Sequence, residues 1–226
     1  MRRKSLRPWL LVVLAGAATA ALVGASRARD GLLLADPALP IEEAWTHRAF
    51  GPATEWNRVV VDGMPYIRAT GRNGASGLYR DAGYRAREHP WLEWIWRVDR
   101  VQPSADIRAV AADDYAAALF VLFDRPSALR AEPRALAFVW TNARVAAGET
   151  VASPRHPESM RSIVLESGER KLGDRVRERR NVVDDYRAAF GEEPPEFVEV
   201  IALWTDSDQT GEAVEAYYGP IQALAD

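Results

Sequence analysis

Alternation between apolar and polar positions predicts β-strands along most of this chain. The clearest run extends from Trp91 to Val98, where every second residue from Leu92 onward is apolar. The opposite face of this run is only half polar, which is typical of an interior strand of a packed sheet.

An Asp62-Gly63 dipeptide separates two further β-rich runs, 59–61 and 66–69, and predicts a tight hairpin because both turn residues tolerate positive φ. Other strands are predicted at Leu78–Arg80, Ala116–Phe123, Ala135–Trp140, Ser162–Glu166, Phe197–Trp204 and Ala216–Leu224, the last interrupted by Gly219-Pro220.

One helix interrupts the strands, over residues 181–190. Asn181 is its predicted N-cap, with Asp184 as a capping-box partner, and Gly191 ends it. The charged segment before it, from Glu169 to Arg180, is predicted to be solvated. About eight short strands and one helix predict a mostly β protein, a single β-sandwich of the jelly-roll kind that resembles carbohydrate-binding modules.

The N-terminus has the pattern of an export signal. Residues 2–7 carry four basic side chains and no acid, and residues 8–26 are uncharged. A signal peptide over residues 1–25, cleaved after Ala25, would leave a soluble periplasmic protein. An uncleaved anchor would tether it to the inner membrane through residues 8–26, the only membrane contact predicted. Residues 26–44, with Pro37 and Pro40, are predicted to be a linker or arm before a single domain at 45–226.

Composition excludes several classes of function. The absence of cysteine excludes disulfides, thiol nucleophiles and Cys-ligated metals. A formal net charge of −3 argues against a nucleic-acid partner, because such binders present a basic face.

Four segments share an order and spacing that is typical of one family. They are 74–80, 92–98, 113–117, and a tail that includes 180–186, 190–191, 205–208 and 216–219. Together they resemble DUF3047, a bacterial domain family without an assigned activity. The resemblance covers roughly Trp45 to Leu224, and it implies an exported protein with one β-rich domain.

An acidic turn follows the strand that ends at Trp204. Asp206, Asp208 and Thr210 stand at alternate positions and offer the hard oxygen ligands that Ca²⁺ prefers. Calcium is the one cofactor this pattern suggests, although the EF-hand spacing is absent. The alternative is a turn held by Asx and hydroxyl caps.

Asp113 and Asp114 precede another strand. Adjacent residues of an extended chain point to opposite faces, so the pair either satisfies turn backbone groups or converges on a ligand in a turn. With Asp206 or Asp208, either could also form an acid/base pair on a glycosidic bond if the carboxyl groups lie about 5–9.5 Å apart.

Three other residues are candidate ligand contacts. Trp91 is the tryptophan predicted to be exposed as a sugar platform, whereas Trp94 and Trp96 are predicted to be core. Arg180 and Asn181 at the helix start could bind an anion or sugar hydroxyls. In the alternative interpretation, Asn181 only caps the helix and Arg180 pairs with a nearby acid.

The leading functional hypothesis is a non-catalytic exported sandwich that binds a glycan or another envelope component, including an envelope protein. One alternative is a hydrolase or lyase that acts on envelope polysaccharide through paired aspartates. Another is a purely structural interaction module.

Overall fold

The computed structural model describes residues 31–123 and 133–226, which form two β-sheets packed face to face. In chain order, the elements are β1 (Gly31–Ala35), α1 (Ile41–Ala44), β2 (Thr46–Ala49), β3 (Glu55–Val61), β4 (Met64–Gly71), β5 (Ala75–Arg85), β6 (Trp91–Arg100), β7 (Ala117–Leu122), β8 (Ala135–Thr141), β9 (Thr150–Ala152), β10 (Met160–Ser167), β11 (Val176–Asn181), α2 (Val182–Phe190), β12 (Phe197–Asp206) and β13 (Val214–Leu224).

Sheet A has the order β11-β6-β13-β4-β3, with β1 also paired to β13, and sheet B has the order β2-β5-β12-β7-β8-β10-β9. Neighbouring strands are antiparallel except β8 and β10, which are parallel. The chain crosses between the sheets at each step from β4 to β7 and from β11 to β13. This alternation is jelly-roll connectivity, and the predicted β-sandwich is confirmed.

The core between the sheets is built around aromatic side chains. Trp94 and Trp96 on β6 are buried, as their spacing predicts. The Trp94 ring lies 5.3 Å from Phe138, and the Trp96 ring lies 6.0 Å from Trp140, measured between centroids. These contacts join β6 of sheet A to β8 of sheet B.

Sheet B also buries its outer face. Strand β12 sends Ile201 and Leu203 into the core, while Ala202 and Trp204 join a second apolar cluster on the opposite side. In that cluster the rings of Phe120 and Trp204 lie 6.1 Å apart. The nearly continuous apolar sequence of β12 reflects this burial on both faces.

Local sequence signals explain two connections. At the predicted hairpin Asp62 and Gly63 have φ of 51° and 75°, and the turn joins β3 directly to β4. The Asn181 side chain caps α2 by accepting hydrogen bonds from two backbone N–H groups, and Gly191 ends the helix with φ of 70°. The described residues show no capping-box bond from Asp184 to Asn181, and the Asp184 carboxylate accepts a hydrogen bond from Arg187 at 3.0 Å.

Two segments differ from expectation. Residues 176–181, all but the last of which belong to the segment expected to be solvated, form edge strand β11. This strand pairs with β6 and turns alternate charged side chains outward. Residues 31–35, within the expected linker or arm, form β1, whose Leu34 and Ala35 are buried in the core. In both cases pairing to an existing sheet supplies order that local composition does not.

The leader predicted at residues 1–25, with the membrane contact at 8–26, lies outside the described residues. Among the described residues, no helix has the length and apolar character needed to span a bilayer.

Candidate functional site

Three carboxylates meet at one end of sheet B, and we call them the acidic cluster: Asp114, Asp206 and Asp208. Asp206 is the last residue of β12, Asp208 follows it, and Asp114 lies just before β7. Because β7 and β12 are antiparallel neighbours, the end of one lies beside the start of the other. One oxygen from each carboxylate lies within 4.8 Å of the other two.

Backbone N–H groups hold two of these carboxylates in place. Asp114 and Asp206 are both 0% exposed. Asp114 accepts the N–H of Gln209 at 3.1 Å and that of Thr210 at 2.7 Å, one on each carboxylate oxygen. Oδ1 of Asp206 accepts the N–H of Tyr115 at 2.6 Å. The cluster therefore ties the turn after β12 to the segment before β7.

The remaining oxygen of Asp206, Oδ2, is buried and accepts no hydrogen bond of standard geometry. Within the described ranges, no Lys or Arg forms an ion pair with Asp114 or Asp206. Burial raises the pKa of Asp206 well above its ordinary value, the Asp114 charge raises it further, and the Trp204 indole lowers it. Burial and then Asp114 likewise raise the pKa of Asp208.

The turn that carries the cluster is anchored on both sides. Ser207 donates its N–H to the Gly74 carbonyl at 2.7 Å, and its hydroxyl accepts the Gly74 N–H at 3.3 Å. The buried Gln102 amide donates to the Asp206 carbonyl. Three separate loops thus hold Asp206 and Ser207, which is the rigidity expected of a preorganised site.

Asp113 is not part of the acidic cluster, and Thr210 contacts the cluster through its backbone N–H. Asp113 contacts Arg155 at 3.3 Å, and burial raises its pKa to about 6. The Thr210 hydroxyl accepts the N–H of Glu212 at 3.2 Å. The carboxyl groups of Asp114 and Asp206 are fully buried, so a polymeric substrate could not contact them in this conformation. This burial argues against a hydrolase that uses either group as its acid or base.

A second polar feature is a cavity of about 330 Å³ at the edge of the sandwich, which we call the edge cavity. It lies between β11 of sheet A and β9 and β10 of sheet B, and α2 closes one side. The lining residues are Gly148, Thr150, Ile163, Val164, Leu165, Glu178, Arg180, Asp185 and Ala188.

The charged groups of the edge cavity differ in whether they have an ion-pair partner. Arg180 and Asp185 form a two-bond ion pair, with Nε to Oδ2 at 3.0 Å. Glu178 accepts the Trp96 indole N–H at 3.3 Å and has no ion pair with any described Lys or Arg. Burial raises the pKa of Glu178 to about 7, and the charge of nearby Glu166 adds to the shift.

Trp91 and Asn181, the other candidate ligand contacts, already interact with side chains or backbone of the protein. Trp91 is half-buried on the outer face of β6, where the Arg179 guanidinium lies 4.2 Å from its ring centroid. The Asn181 side-chain oxygen is occupied by the helix cap.

Sequence reasoning missed the three other polar side chains that line the edge cavity beside Arg180: Thr150, Glu178 and Asp185. The alternation of residues in 176–181 could have predicted a strand in which Glu178 faces inward between the outward-facing Arg177 and Arg179.

A family model described as a protein of unknown function, DUF3047, matches residues 43–222. The chain belongs to the DUF3047 family. The resemblance seen in the sequence is thereby confirmed. A search of the curated proteins finds no match.

Solved structures similar to this chain include sugar-binding and sugar-cleaving proteins. The family 11 carbohydrate-binding module of Lic26A-Cel5E from Clostridium thermocellum is 7% identical, with a TM-score of 0.45, over 87% of this chain and 95% of its own. A cellulase derived from Cel12A of Rhodothermus marinus is 14% identical, with a TM-score of 0.43, over 80% and 96%.

The glycoside hydrolase domain of Endo-D from Streptococcus pneumoniae R6 is 6% identical, with a TM-score of 0.39, over 80% of this chain. This chain spans only 22% of that domain. At these identities and TM-scores, the similarities say nothing about the ligand or activity of this chain.

Proposed function

We propose that this protein is a non-catalytic binding module and that its edge cavity holds a hydroxyl-rich ligand, a glycan. The observation that supports the proposal is the mixture of groups in the cavity wall. Glu178 offers a carboxyl group, the Arg180–Asp185 pair offers further polar atoms, and Thr150 offers a hydroxyl. Sugar hydroxyls both donate and accept hydrogen bonds, so such a wall suits them.

The apolar part of the wall also fits a sugar. Ile163, Leu165 and Ala188 can contact the C–H face of a ring while the polar groups contact its hydroxyls. A volume of about 330 Å³ is at the small end of ligand cavities, about 300–1,000 Å³. The cavity therefore suits one or two sugar units, such as a chain end.

The test is calorimetric titration of the protein with neutral and acidic oligosaccharides of two to six units. We expect at least one to bind, and Glu178→Gln and Thr150→Val to weaken its affinity about tenfold each. Arg179→Ala is the matched control, because Arg179 follows Glu178 on β11 but points to the outer face. The proposal fails if no oligosaccharide binds, or if the cavity variants bind as the wild type does.

Export is part of this proposal, and the basic N-terminus followed by the uncharged stretch 8–26 supports it. Fractionation of cells that express the tagged protein tests it. Recovery from the periplasm with a mature N-terminus at Ser26 would indicate cleavage, and recovery with the inner membrane would indicate a retained anchor. Recovery in the cytoplasm would contradict export.

A further inference from the structure

We infer that the acidic cluster is a divalent-cation site and that Asp114, Asp206 and Asp208 bind one Ca²⁺ ion. This site is separate from the edge cavity, and the inference does not depend on glycan binding. It rests on three observations: the convergence of the carboxylate oxygens, the lack of a counter-charge at the two buried ones, and the unpartnered oxygen of Asp206.

The distances suit a single ion. Two oxygens bound to the same Ca²⁺ lie at most twice the metal–oxygen distance apart, about 4.6–5.2 Å. The oxygens of the acidic cluster all lie within 4.8 Å of one another. This spacing is compatible with one ion shared by all three carboxylates, with at most a small shift of the side chains.

A bound cation would stabilise the ionised form of these buried carboxyl groups. Carboxylates are almost never fully buried unless they are paired or coordinate a metal. Asp114 and Asp206 are 0% exposed, and no described Lys or Arg pairs with either. Two backbone N–H groups at Asp114 and one at Asp206 solvate these carboxylates only in part. A divalent cation would supply positive charge directly at these two buried carboxylates, where no described Lys or Arg pairs.

The unpartnered atom provides the second, independent observation. Oδ2 of Asp206 is buried and accepts no hydrogen bond of standard geometry, although Oδ1 of the same carboxylate does. The Trp204 indole lies close enough to lower the pKa of this carboxyl group, but outside hydrogen-bond geometry. The side-chain oxygen of Gln209 is also buried and unpartnered. Buried acceptors without donors are the local chemistry of a hard-cation site.

The structure also revises the ligand set expected from sequence. Asp114 joins Asp206 and Asp208 of the alternating pattern, while the Thr210 N–H points to Asp114 and the Thr210 hydroxyl accepts from Glu212. A ligand from before β7 and two from after β12 would make the ion a bridge between the two segments.

The test uses the purified protein, first stripped of metal with a chelator. We expect calorimetry to show one Ca²⁺ bound per chain. We also expect Tb³⁺ bound in its place to luminesce on tryptophan excitation, because Trp204 precedes the cluster on the same face of β12. Excess Ca²⁺ should quench this emission, and Mg²⁺ should compete at least tenfold more weakly.

Asp208→Asn should lower Ca²⁺ affinity at least tenfold, and because Asp208 is only half-buried this variant should fold. Asp174→Asn, which changes an exposed aspartate before β11, is the matched control and should bind Ca²⁺ as the wild type does. No Ca²⁺ or Tb³⁺ binding by the wild type would overturn the inference. Equal affinity in Asp208→Asn and Asp174→Asn would also overturn it. Because the wild-type titration decides by itself, a variant that fails to fold leaves the test intact.

Discussion

The acidic cluster and the edge cavity both concentrate carboxyl groups, but the groups that stabilise the buried carboxyls differ between the two. At the edge cavity, Asp185 has Arg180 as a bidentate partner, and Glu178 pairs with no Lys or Arg of the described residues but lies beside open space. At the acidic cluster, Asp114 and Asp206 have backbone N–H partners and no exposure to solvent. A carboxyl group beside a cavity can exchange protons and ligands with solvent, whereas one enclosed by protein needs a fixed counter-charge.

The largest loss of stability should come from a change that displaces Trp204, the residue two positions before Asp206 on β12. A Cβ at Gly77 would lie 2.6 Å from the Trp204 ring and 3.1 Å from the Leu203 carbonyl oxygen. Gly77→Ala should therefore displace Trp204, cost about 3 kcal/mol of unfolding free energy and abolish Ca²⁺ binding. Urea unfolding measures the cost. Gly71→Ala, where the new Cβ makes only ordinary contacts, is the control. Equal midpoints for the two variants would contradict the prediction.

The next effect concerns which protein is more stable, the wild type or Asp206→Asn, and the answer should reverse when Ca²⁺ is added. An amide at position 206 can still accept the Tyr115 N–H, and its NH₂ group can donate to a neighbouring carboxylate. Asp206→Asn should thus be about 1 kcal/mol more stable than the wild type in EDTA, because like-charge repulsion falls. In saturating Ca²⁺ it should be about 2 kcal/mol less stable, because only the wild type gains from the bound ion. Thermal unfolding in both buffers measures the order, and an unchanged order would count against the cation site.

The edge cavity should instead respond to pH. The pKa of Glu178 is about 7 in the folded protein, against 4.5 ordinarily, so the folded state holds a proton that the unfolded chain releases in this window. Stability from this group is therefore lost as pH rises from about 4.5 to 7. Glu178→Gln should match the wild type near pH 4 and exceed it by about 1 kcal/mol at pH 8, after allowance for solvent screening.

The two cations near Glu178 should not remove this dependence of stability on pH. Lys171 pairs with Glu166, and Arg180 pairs with Asp185, so neither cation is committed to Glu178. Urea unfolding at pH 4, 6 and 8 measures the difference between the two proteins. A constant difference across that range would mean that Glu178 has an ordinary pKa and is well solvated.

The smallest effect should come from the outer face of sheet A. Arg179→Ala removes an exposed guanidinium from the Trp91 ring and should cost about 0.5 kcal/mol. Neither Ca²⁺ affinity nor oligosaccharide affinity should change. A loss of binding in this variant would move the ligand site from the edge cavity to the face that holds Trp91.

Periodicity and turn chemistry determined most of the fold. The alternation in 91–98 predicted a strand with its tryptophans in the core, and Asp62-Gly63 predicted the hairpin, because both signals depend on neighbours along the chain. Strands β1 and β11 were not predictable in this way. Each is ordered by pairing with a distant strand, β13 or β6, and that pairing has no local signature.

The same division applies to the sites. The sequence by itself identified Asp114, Asp206, Asp208 and Arg180 as unusual, from residue type and spacing. Only the tertiary structure placed Asp114 beside the two later aspartates, turned Asp113 towards Arg155, and enclosed Glu178 and Asp185 in one cavity. The physical reason is that a carboxylate's role depends on its burial and its partners, and β-sheet pairing brings those partners from more than 90 residues away.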